Sequence, residues 1–438
     1  MLRSVFVVLL LLTGGVYALQ STLYAACLYL WIAYFRPESW AWSGVFATLN
    51  LSYIAGAYLI VRVAMSGAFR LTFGSGLLLV FLAHSLLSSA LGPHAAYSLS
   101  QWQVFAKTIV VSVILTSLIQ SAADLRLVLM VIALSLGFEG TKQGWANLIL
   151  YPGARNDNGI PFLGDNNLVA VGMLMLLPII GALADTSTGW LKRVFQFMSF
   201  GVLYRAVSTY SRGGFLSAGV IGALWFWRSP HKFRTAAAVA LATALIVPVF
   251  PQEFWDRMST INTPGEERDS SSAGRFHFWQ VAVAMANDHP LTGVGNGAYS
   301  RLYNRYDFSN GQFGTSRAVH SAWFGVLAEL GYTGLLLFII IVVTSLRSCR
   351  RVRLAAKRGE VSAALGSYAV GFETALMAFI VGGSFVSFHY IEMLWHFFAL
   401  SAALERVGAA EAAANRAGAE QLQPAAEVAA PAPEFEWA

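Results

Sequence analysis

Apolar runs of membrane-spanning length alternate with short polar breaks along most of the chain. A helix needs about 20 apolar residues to cross a hydrocarbon core of about 30 Å. Runs of this kind fall at about 42–61, 72–91, 100–119, 126–145, 166–184, 193–210, 213–228, 233–250, 320–346, 363–382 and 386–404. The first apolar region, Ser4–Phe35, is long for one crossing and short for two. Three readings of it stay open: one helix broken near Thr13–Gly15, a tight hairpin at Gln20–Ser21, or a signal peptide with its cleavage site at Val16–Ala18. The stretch from about Pro251 to Val319 contains no spanning run. A structureless loop of that length is unusual, so helices of its own are expected. The best candidate is Arg275–Asn287, where Arg275, Phe278, Trp279, Ala282 and Ala286 share one face. Such a helix would lie on a membrane surface with Trp279 among the headgroups. His289-Pro290 ends it, and Gly293, Gly295 and Gly297 permit a tight backbone path. No strand precedes these glycines, so they are not a nucleotide fingerprint.

Composition supports the same picture. The 438 residues are 56% hydrophobic and 12% charged, against about 25% charged in soluble domains. The mean hydropathy is +0.58. These values point to an all-α polytopic membrane protein rather than a soluble one. The only cysteines, Cys27 and Cys349, exclude a disulfide framework or a cysteine-based metal site. The net charge of +6 falls largely in short loops, where it reports orientation rather than nucleic-acid binding.

The segment holding Arg347, Arg350, Arg351, Arg353, Lys357 and Arg358 should be cytoplasmic by the positive-inside rule. Arg62 with Arg70, Lys192 with Arg193, and Arg228 with Lys232 and Arg234 mark further cytoplasmic loops. Alternation then places the long 251–319 loop outside. With the first region taken as one broken crossing, twelve transmembrane helices result and both termini lie inside. The expected organisation is N-terminal membrane helices over 1–250, an external loop with amphipathic helices over 251–319, C-terminal membrane helices over 320–406, and a disordered cytoplasmic tail over 407–438 rich in Ala, Glu and Pro.

Three external residues stand out. Arg212 sits between apolar stretches in "YSRGGFLSAG", at a depth where an arginine is expensive. Its bland reading is snorkelling to headgroups, with Gly213 and Gly214 forming a hairpin turn. Arg275 opens the amphipathic helix. His320 stands at the mouth of an apolar run, with Arg317 three residues before it. Two permanent cations and one titratable base on one side suit an anionic lipid bearing a diphosphate, because arginine binds phosphate bidentately and keeps its charge.

Other polar positions carry two readings each. Arg155, Asp165, Asn166 and Asn167 touch sugar or phosphate, or else cap a helix and shape a turn. Lys107 lies inside a span and meets the diphosphate or snorkels. Trp279, Tyr299, Tyr303 and Trp323 stack on sugar or serve packing. Glu329 is nine residues from His320 and faces elsewhere on a helix. His389, Glu392 and His396 share a face at helical spacing, which fits a packing network better than a metal site. No spacing resembles a two-carboxylate or histidine-rich ligand set, so no metal and no cofactor are expected.

The motifs "YSRGGFLSAG" (Tyr210–Gly219), "GRFHFWQVAVAMANDHPLTGVGNGAY" (Gly274–Tyr299) and "HSAWFGVLAELGYTGLLLF" (His320–Phe338) resemble the O-antigen ligase family, within the wider O-antigen ligase and polymerase superfamily. "YFRPESW" (Tyr34–Trp40) also resembles ligase-like proteins associated with exosortase systems. The resemblance implies a polytopic glycosyltransferase of the GT-C type. It would take a polysaccharide from undecaprenyl diphosphate and join it to the lipid A–core oligosaccharide, on the periplasmic face of a Gram-negative inner membrane. It implies inversion at the anomeric carbon, no nucleotide sugar and no metal. By motif match, Arg212, Arg275 and His320 are the family's functional residues. An O-antigen polymerase or a protein O-oligosaccharyltransferase would use the same donor. A lipid-linked glycan transporter would need polar groups on both faces and a repeat, and neither is evident.

Overall fold

A computed structural model describes residues 2–41, 48–67, 69–229, 231–259 and 270–428. Among these residues every regular element is helical. The chain begins with α1 (Leu2–Gln20), α2 (Thr22–Phe35) and the short α3 (Pro37–Trp40). It continues through α4 (Leu51–Ser66), α5 (Phe73–Leu91), α6 (Ala95–Leu118), α7 (Ala122–Leu150), α8 (Asn166–Asp185), α9 (Gly189–Val207), α10 (Arg212–Arg228) and α11 (Lys232–Ile246). The long loop holds α12 (Gln252–Ser259), α13 (Ser270–Asp288) and α14 (Tyr299–Tyr306). Three more helices complete the fold: α15 (Ala322–Lys357), α16 (Ala363–Gly382) and α17 (Glu392–Val428). Six of them are long and apolar enough to cross a membrane: α1 from Arg3, α5, α6, α8, α15 and α16. The helices α2 and α4 are apolar but shorter. Part of the expected 42–61 span, residues 42–47, lies outside the described residues.

Of the three readings of the first region, the structure adopts the hairpin. Ser21 is extended and its hydroxyl accepts from the Leu23 N–H, which caps α2 and reverses the chain. Tyr17 and Tyr24 then meet edge to face at 5.6 Å. At the far end, the Arg3 guanidinium lies 5.4 Å from the Trp40 ring. The "YFRPESW" segment forms the corner after α2. Arg36 takes a left-handed conformation (φ 53°) and closes α2 with its own N–H, and Pro37 opens α3.

The centre of the bundle is α8, buried at nearly every residue from Val169 to Ala184. It packs against α7, α9, α10 and α16. A second aromatic seam joins α5, α6, α15 and α17, where Trp395 stands 4.8 Å from Phe81 and 5.0 Å from Phe105.

The run expected as one span over 320–346 is two helices in one. Gly331 has φ 70° and ψ −174°, so the helical path breaks there. The break frees carbonyls that need partners. Leu330 O is bonded by His84 at 2.9 Å. Glu329 O accepts from Ser88 and from the Gly295 N–H, and Ala328 O accepts from the Val294 N–H. The glycine-rich loop therefore serves to close this break. A side chain at Gly293 would meet the Glu329–Gly331 backbone at 2.4 Å, which explains the glycine.

Two expectations change in the C-terminal part. The last helix, α17, does not stop near Arg406 but runs to Val428. Glu411 binds the Ser362 N–H, and Asn415 donates to Glu360 O, so the helix beyond Arg406 stays docked on the α15–α16 loop. Only 429–438 of the expected disordered tail lie outside the described residues. His389 precedes α17 rather than sharing its face with Glu392 and His396. The three side chains also go separate ways. His396 pairs with the Tyr34 hydroxyl at 2.9 Å, Glu392 with Arg36 at 3.7 Å, and His389 approaches Glu329 at 3.8 Å.

Candidate functional site

The site is assembled from five segments at the end of the bundle opposite the basic α15–α16 loop. The first is the start of α8. Asp165 caps this helix by accepting from the N–H groups of Asn167 and Leu168. Arg155 pairs with Asp157 at 2.9 Å, and Asn166 also bonds Asp157, so these three side chains tie the preceding loop together. The capping reading of Asp165 is the one the geometry supports. Asn167, one of the four polar candidates of this segment, is the one that lines the cleft.

The second segment is the turn into α10. Tyr210 sits in the left-handed region (φ 59°), unfavourable for a bulky residue. Its hydroxyl donates to Gly153 O at 2.6 Å, and its ring meets Phe254 at 5.0 Å. Ser211 caps the helix, and Arg212 follows as the first helical residue. The Arg212 side chain is buried, at 8% exposure, and does not extend to a membrane surface. Gly213 and Gly214 are inside the first turn of α10, not in a hairpin. A Cβ at Gly214 would stand 2.8 Å from Ala170, so the small residue lets α10 press its start against α8.

The third and fourth segments are α12 and α13. On α12, Phe254 and Met258 are buried beside Tyr204, Tyr210 and Phe250. Arg257 reaches back to Tyr210 O at 3.0 Å. On α13 the expected apolar face is present, with Phe278, Ala282 and Ala286 buried. That face packs against α15 and α14 rather than lying open to a membrane. Trp279 stacks on Phe324 at 5.1 Å with the rings nearly parallel. Tyr299 is buried, its hydroxyl donating to Phe278 O at 2.7 Å. Both aromatics hold α13 in place. Tyr303 is fully buried, and Trp323 donates to Ser384 and packs on Phe338 and Phe379. Glu329 accepts from the N–H groups of Gly297 and Tyr299, at the start of α14, where a carboxylate complements the helix dipole.

The fifth segment is 307–321. Asp307 bonds His277 at 2.6 Å and accepts from Ser309 and Gly311. The Ser309 hydroxyl and these other donors hold its carboxyl far below the usual range. This buried pair sits behind Phe313, whose ring stacks on His277 at 5.0 Å. The segment ends at His320, which also has positive φ (49°). Ser321 then caps the short helical piece before the Gly331 break. His320 therefore precedes this external turn of α15, not the membrane-length part of that helix. The next backbone N–H, on Ala322, bonds Gly383 O at 2.7 Å.

These segments enclose a cleft of about 370 Å³ lined by Asn167, Arg257, Arg275, Phe278, Gln312, Phe313, Arg317 and His320. Among the described residues, three arginines and one imidazole line it and no carboxylate does. Burial holds the His320 pKa below its ordinary value, and the Arg275 cation adds to the effect. Asp165 acts in the opposite sense, and Arg317 lowers it further. His320 is thus a neutral base at neutral pH.

Arg317 bonds Phe313 O, and its guanidinium lies 6.0 Å from the Phe278 ring. Arg212 is not among the lining residues. Its turn is tied to the cleft wall through Arg257, whose Nε donates to Tyr210 O two residues before it. Lys107 is elsewhere, exposed on α6 and 5.2 Å from the Tyr53 ring. Arg257, Gln312 and Phe313 escaped the sequence reading, because nothing in their local spacing marks them.

A separate apolar groove of about 610 Å³ lies between α1, α2 and α7, lined by residues such as Leu10, Tyr24, Trp31, Phe35 and Phe138. At its Phe35 end the neighbouring Tyr34 stacks on Phe162, three residues before Asp165.

Residues 197–339 match the family described as O-Antigen ligase, and residues 2–150 match a family of unknown function (DUF5935). No curated protein matches the chain. The matched stretch contains Arg212, Arg257, Arg275, Arg317 and His320, and over that stretch the chain is similar to the O-antigen ligase family.

Proposed function

We propose that this chain is a GT-C-type glycosyltransferase that transfers a polysaccharide from undecaprenyl diphosphate to a lipid A–core oligosaccharide. The observation that carries the reading is the cleft itself, cationic on three sides and holding a neutral imidazole. The acceptor hydroxyl attacks the anomeric carbon, with inversion, as His320 takes its proton. The bond from that carbon to the diphosphate oxygen breaks, and the undecaprenyl diphosphate leaves with the bonding pair. Arg275 and Arg317 in the cleft, with Arg212 on the turn tied to its wall, stabilise the charge that develops on the diphosphate. This contribution is largest where water is sparse. The polyprenyl tail runs along apolar helix surface, and the α1–α2–α7 groove is a surface of that kind.

The proposed site is the Gram-negative inner membrane, with the cleft facing the periplasm and the α15–α16 loop in the cytoplasm. Twelve crossings follow from the basic loops, and the α1–α2 hairpin adds one. That addition moves Arg3 to the periplasmic side. Reporter fusions at Lys232 and Arg353 should read cytoplasmic, and one near Gly311 periplasmic. A cytoplasmic signal at Gly311 removes the reading.

The activity is tested by reconstituting the purified chain with undecaprenyl-diphosphate-linked glycan and separate acceptors. Transfer to lipid A–core in excess chelator is expected. Growth of the lipid-linked glycan itself would make the chain a polymerase, and transfer to serine or threonine a protein oligosaccharyltransferase. No transfer to any acceptor refutes the enzyme reading.

A further inference from the structure

Arg257 is unremarkable in the sequence, one of several charges in "QEFWDRMS". The fold gives it a specific position. Phe254 and Met258 anchor α12 in the aromatic cluster around Tyr210. Residues three apart on a helix lie on one side, so Arg257 follows Phe254 toward the same region. There it does two things at once. It lines the cleft beside Arg275 and His320, and its Nε donates to Tyr210 O at 3.0 Å.

Tyr210 is the residue whose backbone is least comfortable in this turn, with φ 59°. Such a conformation persists only where the surroundings hold it. Three contacts hold it here: the Gly153 carbonyl at the hydroxyl, the Phe254 ring at the face, and Arg257 at the carbonyl. Two residues further on is Arg212. One side chain thus connects the wall of the cleft to the turn that presents the buried arginine.

We propose that Arg257 is a donor-binding residue that selects a diphosphate over a monophosphate, by adding a third cation to the cleft and holding the Tyr210 turn that presents Arg212. The proposal rests on the donor reading above and assigns a specificity role within it. A monophosphate presents too few oxygens to engage several guanidinium groups at once, whereas a diphosphate spans them.

The test measures binding of two lipids, undecaprenyl diphosphate and undecaprenyl phosphate, to the full chain in phosphatidylethanolamine nanodiscs. The wild-type protein should prefer the diphosphate. Arg257→Gln should weaken diphosphate binding by about tenfold to a hundredfold, the range for one charge-assisted hydrogen-bonding group. Monophosphate binding should change by less than about threefold, so the preference collapses. Arg257→Met keeps the aliphatic stem and is measured in parallel; its ratio decides if the glutamine variant does not fold. A wild-type ratio in the folded variants overturns the proposal, whether both affinities are unchanged or fall together. Wild-type protein that binds neither lipid overturns the donor reading as well. Wild-type discrimination that survives loss of Arg257 overturns this inference alone.

Discussion

Arginines at the two ends of the bundle are treated in opposite ways. At the basic end, Arg353 and Arg228 share Glu373, at 2.7 Å and 3.1 Å, with all three side chains largely covered. Arg351 reaches Glu405 at 2.7 Å, and Arg358 reaches Glu360. At the other end, Arg257, Arg275 and Arg317 line one cleft, and none of the described residues in its wall is a carboxylate. Bringing like charges together costs free energy, whereas an acid beside each would lower it. The lesson is that an arginine's role here is set by what stands next to it. Where a glutamate answers it, the pair ties helices together. Where several share a cavity, they make the cationic wall that the proposed diphosphate would meet.

The contrast is broken most directly at the imidazole. His320→Ala should lower turnover by about 10²–10⁴-fold, the range for a positioned base, without loss of thermal stability. Donor binding should stay near the wild-type level. Near-normal turnover in the folded variant would leave His320 as a packing residue.

Arg275→Lys keeps the charge and loses the fork, so donor affinity should fall by about tenfold to a hundredfold. A pH profile sharpens this. A base must be neutral to act, so kcat/KM should fall as pH drops through the His320 pKa. That limb should lie below the ordinary histidine value of about 6.5, since burial and Arg275 both disfavour the imidazolium. Arg275→Gln removes the larger of the two cationic causes, Arg317 being the other, and should move the limb upward. An unmoved limb would show that Arg275 is not electrostatically coupled to the base.

At the basic end the expected readout is stability. Glu373→Gln leaves two covered cations without their shared acid, and such a loss typically costs about 3–5 kcal/mol. The melting temperature should fall while turnover per folded molecule holds. Loss of turnover at unchanged stability would erase the distinction between the two ends.

The smallest effect belongs to Arg351→Ala. Its side chain is 73% exposed, and exposed pairs contribute about 0–1 kcal/mol. Melting temperature and turnover should both stay near wild type.

Much of the fold was legible because membrane solvation acts locally. Predicted boundaries such as 166–184 and 363–382 fall within a residue of α8 and α16, since apolar length alone decides where a helix can cross. The reading failed where a tertiary partner decides. One-residue differences between a broken helix and a hairpin turned on the Ser21 cap. The break at Gly331 is tolerated because His84, Ser88 and the 293–295 loop donate to its orphaned carbonyls, and none of these is near it in sequence. Trp279 and Tyr299 had the composition of sugar-stacking residues, yet both pack beneath the site.

The sequence by itself determined that this is a helical membrane protein and which end is basic, and it pointed to Arg275, Arg317 and His320, which share the cleft. Those properties follow from apolar run length, from charge in short loops and from ordered motifs, all readable one segment at a time. The tertiary structure alone decided that Arg257 joins the cleft, that the Arg212 side chain is buried and not in its lining, and that Lys107 is elsewhere. The reason is that a cationic cleft is built across segments. Residues from 167 to 320 meet in it, and only packing brings them within reach of one another.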